Sequence, residues 1–278
     1  MTNPKNLPAP PDCPQRPHTL EAHGHVRVDP YYWIRDPEDP EVLEYLEAEN
    51  EYLESATKTW PHSPDDIFAE MRGRIKEQDQ SVPYRVKDYW YRTKFEEGAE
   101  YPLFVRRGLK DEDEEKVILD VNELAEGLAY CEVVQIKVSE DQNLLAYGID
   151  TTGRRLFDVR VRDLTSGVDL PDRIPNTSAD IAWAADDDFL FYVKQDLATL
   201  RPNQLFRHRL GTDPADDVLV FEETDETFHL SVYKTKSRDY IMSASFQTIS
   251  AEFRALKASA PTGEFRTILP RERGHEYT

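Results

Sequence analysis

A chain of 278 residues can bury a substantial core, as one large domain or two smaller ones. Its hydrophobic fraction of 39% and aromatic fraction of 11% read as a folded protein, although 32% of the residues are charged. Lys and Arg total 34 against 54 Asp and Glu, and the formal net charge of −20 repels phosphate backbones and anionic lipid heads, so neither nucleic acid nor membrane is expected as a partner.

Residues 1–17 carry six prolines and no apolar core of the kind a signal peptide needs, which predicts an extended arm on a soluble, cytoplasmic protein. Cys13 and Cys131 make no disulfide framework, in keeping with a reducing compartment. Two helices follow. In the first, Asp39 caps the amino terminus, Pro40 takes the first helical position, and Val42, Leu43, Leu46 and Leu53 recur at helical spacing. In the second, Ser63 and Asp66 resemble a capping box, and Ile67, Phe68, Met71 and Ile75 form one apolar stripe. Both stripes require a covering surface.

After about residue 80 the hydrophobic period shortens from helical to alternating, as in Phe157, Val159 and Val161 against Asp158, Arg160 and Arg162. Four units then repeat an apolar strand, a turn, an alternating strand and a Gly turn. Their leading strands are Tyr89-Trp90-Tyr91, Leu144-Leu145-Ala146-Tyr147, Phe189-Leu190-Phe191-Tyr192 and Tyr240-Ile241-Met242. Their closing glycines, Gly108, Gly167, Gly211 and Gly263, lie 59, 44 and 52 residues apart. That period suits the four-stranded blades of a β-propeller, and a β-sandwich remains the alternative on periodicity alone. The expected organisation is an arm with helices over residues 1–78 and a mainly β region over 79–278.

Few residues carry recognisable chemistry. A nucleophile elbow needs Gly-x-Ser-x-Gly, and Ser166, which precedes Gly167, has Leu164 two places before it, so it reads as a turn serine. His23 and His25 share a direction on an extended segment but lack the third and fourth ligands of a metal site; His208 reads as a strand histidine. The run from Asp111 to Glu115 reads as a solvated turn, since it lacks the glycine and ligand spacing of a calcium loop. Trp90 and Tyr91 read as core and not as a stacking platform for bases. No catalytic residue, metal ligand or cofactor site is assigned, and the substrate-binding residues are left open.

Longer segments resemble a family. Asp29-Pro30-Tyr31-Tyr32-Trp33-Ile34-Arg35-Asp36, Tyr45 to Tyr52, Glu70 to Ile75 with Ser81-Val82-Pro83, Leu119 to Gly127, Arg201-Pro202, His208 to Thr212 and Gly274-His275-Glu276-Tyr277 carry the likeness. In order and spacing they are similar to the amino-terminal part of the prolyl oligopeptidase group of serine peptidases, on the oligopeptidase B branch. The resemblance implies a partial β-propeller, about four of seven blades, ending near the start of a fifth. It also implies that the arm and two helices pack on an α/β-hydrolase domain, present in cis or as a separate chain, that carries a Ser-Asp-His triad. The implied substrates are short basic peptides cleaved after Arg or Lys. No position here matches the triad, so the chain alone is expected to be inactive, with the non-catalytic half of a split peptidase or a scaffold that binds cationic peptides through its acidic surface as the alternatives, and its exposed blade edges are expected to associate.

Overall fold

The computed structural model describes residues 9–110 and 112–277, so the first eight residues of the proline-rich arm and Asp111 of the acidic run lie outside it. The chain divides into two compact units, Met1–Lys76 and Glu77–Thr278.

The first unit begins with a hairpin of β1 (His18–Ala22) and β2 (His25–Asp29). His23 and Gly24 form its two-residue turn, both with positive φ (53° and 77°), the geometry that matches the twist of the flanking strands. The arm docks here: Trp33 Nε1 donates to Pro14 O at 2.9 Å, Arg16 N donates to Pro30 O at 2.7 Å, and the Arg16 guanidinium lies 4.4 Å from the Trp33 ring centre. Helix α1 (Pro40–Thr57) opens on Asp39, whose carboxylate accepts from Glu41 N at 2.9 Å. Helix α2 (Pro64–Gly73) opens on the expected capping box, Ser63 Oγ accepting from Asp66 N and Asp66 Oδ2 accepting from Ser63 N. It stops at Gly73, so Ile75 lies beyond the stripe it was expected to complete.

The second unit is almost wholly β. It runs β3 (Asp79–Gln80), β4 (Tyr84–Val86), β5 (Tyr89–Phe95), β6 (Leu103–Gly108), β7 (Glu115–Asp120), the single-turn α3 (Val121–Ala125), β8 (Glu132–Val138), β9 (Leu144–Asp150), β10 (Phe157–Asp163) and β11 (Val168–Trp183). It continues through β12 (Phe189–Gln195), β13 (Pro202–Arg209), β14 (Val218–Glu222), β15 (His229–Lys234), β16 (Tyr240–Gln247), β17 (Ser250–Lys257) and β18 (Arg266–Thr267). Neighbours pair antiparallel in chain order within a five-stranded, a seven-stranded and a four-stranded sheet, none of which closes on itself.

The seven-stranded sheet is two blades joined by one long strand. The first half of β11 pairs with β10 and the second half with β12, with register shifts in both ladders and positive φ at Asn176 and Ala179. Pro171 and Pro175 fall in this strand, and Pro175 stands next to the irregular stretch where ladder bonds are lost. Thus each sequence unit supplies the two middle strands of a blade, and the inner and outer strands come from the segments between units. The repeated glycines are not equivalent: Gly167 and Gly211 have positive φ, and Gly108 and Gly263 do not.

Three buried clusters fill the spaces between four blade layers. On β9, Leu145, Tyr147 and Ile149 face a cluster with Tyr91, Leu119 and Val121, and Ala146 turns the other way toward Val159, Ile174, Leu190 and Tyr192. On β12, Leu190 and Tyr192 join that middle cluster, and Phe191 and Val193 join a third with Leu230, Ile241 and Leu256. A strand buried on both faces reads as an unbroken apolar run, which is why the leading strand of each sequence unit lacks alternation. Trp90 is half-buried and Tyr91 is 4% exposed within the first cluster. Glu115 departs from the expected solvated turn: it begins β7 and bridges Arg92 (3.0 Å) and Lys94. The segment Gly274–Tyr277 lies along β17, where Ala251 N donates to His275 O at 3.1 Å and Phe253 N donates to Tyr277 Oη at 3.0 Å.

Gly148 reports how closely the layers approach, because a Cβ there would stand 2.5 Å from the Cβ of the fully buried Ala179. Gly148→Ala is expected to cost about 1–3 kcal/mol by overpacking. Urea unfolding checks this: the midpoint should fall and be partly restored by Ala179→Gly, and an unchanged midpoint would contradict the packing.

Candidate functional site

The junctions between inner and second strands share a backbone design. Each contains one left-handed, non-glycine residue, Lys87, Gln142, Asp187 or Arg238 (φ 49°, 65°, 59° and 69°), followed by Asp88, Asn143, Asp188 or Asp239. Three of the turns close by the same bond: Ser139 N to Leu144 O, Ala184 N to Phe189 O and Thr235 N to Tyr240 O, each at 2.9 Å. Left-handed backbone at such side chains is unfavourable by roughly 1 kcal/mol, so the surrounding contacts must hold it.

Tyr91 Oη donates to Gln142 Oε1 at 3.2 Å, and Glu140 supplies contacts at the Lys87, Asp187 and Arg238 junctions. Its carboxylate receives Lys87 Nζ (2.7 Å), Arg238 Nε (3.0 Å to both oxygens) and Lys234 Nζ, and its backbone O also accepts from Lys87. Asp187 completes the cluster from the third junction, its carboxylate accepting from Glu140 N at 2.6 Å and Asp141 N at 2.8 Å. Burial alone would raise the Glu140 pKa, but the three bonded cations outweigh it and bring it down to about 2. Burial pushes Lys234 below the ordinary lysine range, against the pull of Glu140. Asp187 is raised, chiefly by burial and in spite of its two backbone donors.

Above this cluster lies a cavity of about 600 Å³, walled by the inner strands β4, β8, the end of β11 and β15. Six cationic side chains line it, Arg85, Lys87, Lys137, Lys234, Lys236 and Arg238, against one carboxylate, Glu140. The remaining wall is apolar and aromatic, including Tyr84, Tyr91, Trp183 and Tyr233. Trp183 is fixed by donating its Nε1–H to Lys137 O at 2.8 Å. A strongly acidic chain therefore encloses a locally basic recess. Farther along β11, burial raises Asp180 to about 6, against Ser178 and the charge of Lys137.

The residues weighed from sequence lie elsewhere. Ser166 sits in the β10–β11 turn, its N–H donating to Asp163 Oδ1 at 2.8 Å and its hydroxyl accepting from Val168 N. His23 occupies the first hairpin's turn and His25 begins β2. His208 is wholly buried between Asp172 (2.9 Å from Nε2) and Asp217 (2.7 Å from Nδ1), and Asp217 also accepts from Tyr192 Oη at 2.8 Å. Burial opposes its protonation, but the two carboxylates prevail and raise its pKa. With both ring nitrogens engaged and no exposed surface, it has no route to a substrate. Its structural role is visible in the preceding blade, where Tyr147 donates to Asp169 at 2.7 Å and Arg162 pairs with the same carboxylate at 2.8 Å. Arg162 lies opposite Leu145 and His208 opposite Leu190, so the two side chains fill one repeated position. Among the described residues, no group of three or more His, Cys, Asp or Glu side chains could hold a metal ion, and no helix is long and apolar enough to cross a membrane.

Sequence reading missed Lys87, Glu140, Asp187, Lys234 and Arg238. A signal was present for the junction residues, though not for Glu140 or Lys234: a polar residue, then Asp or Asn, then an apolar pair, at Lys87-Asp88-Tyr89-Trp90, Gln142-Asn143-Leu144-Leu145, Asp187-Asp188-Phe189-Leu190 and Arg238-Asp239-Tyr240-Ile241.

Residues 11–278 match the family model described as the prolyl oligopeptidase N-terminal β-propeller domain. Among characterised relatives, dipeptidyl aminopeptidase BI of Pseudoxanthomonas mexicana is 38% identical over 96% of this chain and 39% of its own length. Protease 2 of Moraxella lacunata is 33% identical over 94% of this chain and 39% of its own. The structure of oligopeptidase B from Leishmania major superposes with a TM-score of 0.87 at 30% identity, covering 96% of this chain and 40% of that one. The chain thus spans about two fifths of the length of these relatives.

The Glu140 cluster makes a pH-dependent contribution of known sign. A carboxylate whose folded pKa is lowered to about 2 stabilises fully above its unfolded value, near 4.5, and loses that contribution as pH falls toward 2. Glu140→Gln is expected to cost about 2–3 kcal/mol at pH 7. Thermal unfolding followed by circular dichroism should show the gap to the unsubstituted protein narrowing between pH 4.5 and 2; a gap that stays constant would contradict the assignment.

Proposed function

Because the chain belongs to the prolyl oligopeptidase N-terminal β-propeller family, as the propeller region of an oligopeptidase B-like serine peptidase, we propose that it serves hydrolysis of short peptides after Arg or Lys. The chemistry belongs to an α/β-hydrolase domain with a Ser-Asp-His triad, and the propeller admits short peptides while excluding folded proteins. The observation that carries this reading is the match of residues 11–278 to the propeller model, together with the absence of any Gly-x-Ser-x-Gly from the 278 residues. In this arrangement the serine attacks the carbonyl, the histidine relays the proton, and backbone amides hold the oxyanion.

The helices support a hydrolase partner. Val42 is buried, but Leu43, Leu46 and Leu53 on α1 and Ile67, Phe68 and Met71 on α2 are each at least 44% exposed. Two apolar stripes left in water are poorly suited to a free-standing unit. The hydrolase domain covers them in cis, or, in the second reading these stripes favour, as a separately encoded chain.

Removing a serine-protease triad costs about 10⁶ in turnover even when the binding site remains. The 278-residue chain is therefore expected to give no turnover of a chromogenic Arg-terminated dipeptide, and the chain together with its hydrolase domain to cleave it. Turnover by the chain alone that is blocked by a serine-directed inhibitor would overturn this reading.

A further inference from the structure

The recess above Glu140 is far more basic than the chain as a whole. The chain carries a formal charge of −20, yet six cations converge on about 600 Å³. Glu140 is already shared among Lys87, Lys234 and Arg238. Lys137 and Lys236 are exposed and form no salt bridge among the described residues, although the charge of Lys137 acts on the buried Asp180, and Arg85 donates to the carbonyl of Lys87. Like charges gathered around one recess repel, and low-dielectric walls focus that field. The screening length at physiological salt, about 8 Å, keeps the distant acidic surface from cancelling it.

We propose that this recess binds a carboxylate of a short peptide, Lys137 and Lys236 being the exposed donors that receive it. Three features favour a peptide over an inorganic ion. The volume falls within the range of small-ligand pockets, roughly 300–1,000 Å³. Tyr84, Trp183 and Tyr233 supply an apolar wall for backbone and side chains. Lysine ammonium groups at separate strand ends, β8 and just past β15, suit a flexible carboxylate-bearing ligand better than a compact one. The choice of a peptide rests on the peptidase reading, but the measurement is of binding and is readable whether or not Arg-terminated substrates are cleaved.

The test uses isothermal titration of the chain together with its hydrolase domain, the nucleophile blocked by a serine-directed inhibitor, with three tripeptides. Acetyl-Ala-Glu-Ala-amide carries the acid on a side chain, acetyl-Ala-Gln-Ala carries it at the terminus, and acetyl-Ala-Gln-Ala-amide carries none. At least one acid peptide should bind about tenfold or more tightly than the uncharged one, and more weakly as salt rises. The arm that binds identifies the source of the carboxylate. Lys137→Ala with Lys236→Ala should weaken it about tenfold, and arginine at both positions should restore it. Both side chains are exposed and outside the Glu140 cluster, and a thermal melt confirms that the variants fold. Equal binding of the uncharged tripeptide, binding indifferent to the double alanine change, or no binding of any peptide would overturn the proposal.

Discussion

The carboxylate of Glu140 ties together segments that are far apart in the chain. Lys87 precedes β5, Asp187 precedes β12, and Lys234 and Arg238 flank the β15–β16 turn, yet all four converge on one glutamate at the β8–β9 turn. Each blade layer holds its neighbours through apolar side chains, which attract without direction. The ion cluster adds direction: it fixes where the inner strands end and how their left-handed junctions face. The side chain of Glu140 is 14% exposed, so its bonds are shielded in a way that surface ion pairs are not. Removing that one acid leaves three cations facing each other.

The recess depends on this constraint. Its walls are the inner strands, and the turns that bear Lys87, Lys236 and Arg238 are the ones the cluster positions. A chain of strongly acidic composition thereby presents a basic recess, which net charge alone could not reveal. The same logic explains His208. A buried Asp-His-Asp arrangement looks catalytic in isolation, but the matching Tyr147, Asp169 and Arg162 in the neighbouring blade identify a repeated tie between strands.

The middle hairpins and the helix starts were legible in the sequence because their causes are local. Asp39 and Ser63 cap within three residues, and the runs Leu144 to Tyr147 and Phe189 to Tyr192 are apolar because both faces of those strands are covered. The inner and outer strands were harder. β11 serves two blades in one stretch and carries Pro171 and Pro175, residues that argue against a strand. Glu115 sat in an acidic run that looked solvated, and only the fold brings Arg92 and Lys94 to it. Glu140 and Arg238 are 98 residues apart, beyond any spacing rule.

A double-mutant cycle on Glu140 and Lys234, with Glu140→Gln and Lys234→Met, tests the organising role of the cluster most directly, since it isolates the coupling between two blades from the cost of either change. Coupling of at least about 1 kcal/mol is expected for a shielded pair embedded in a shared network. Coupling below about 0.3 kcal/mol, with the two changes additive, would mean that the blades are held without Glu140 and would contradict the account.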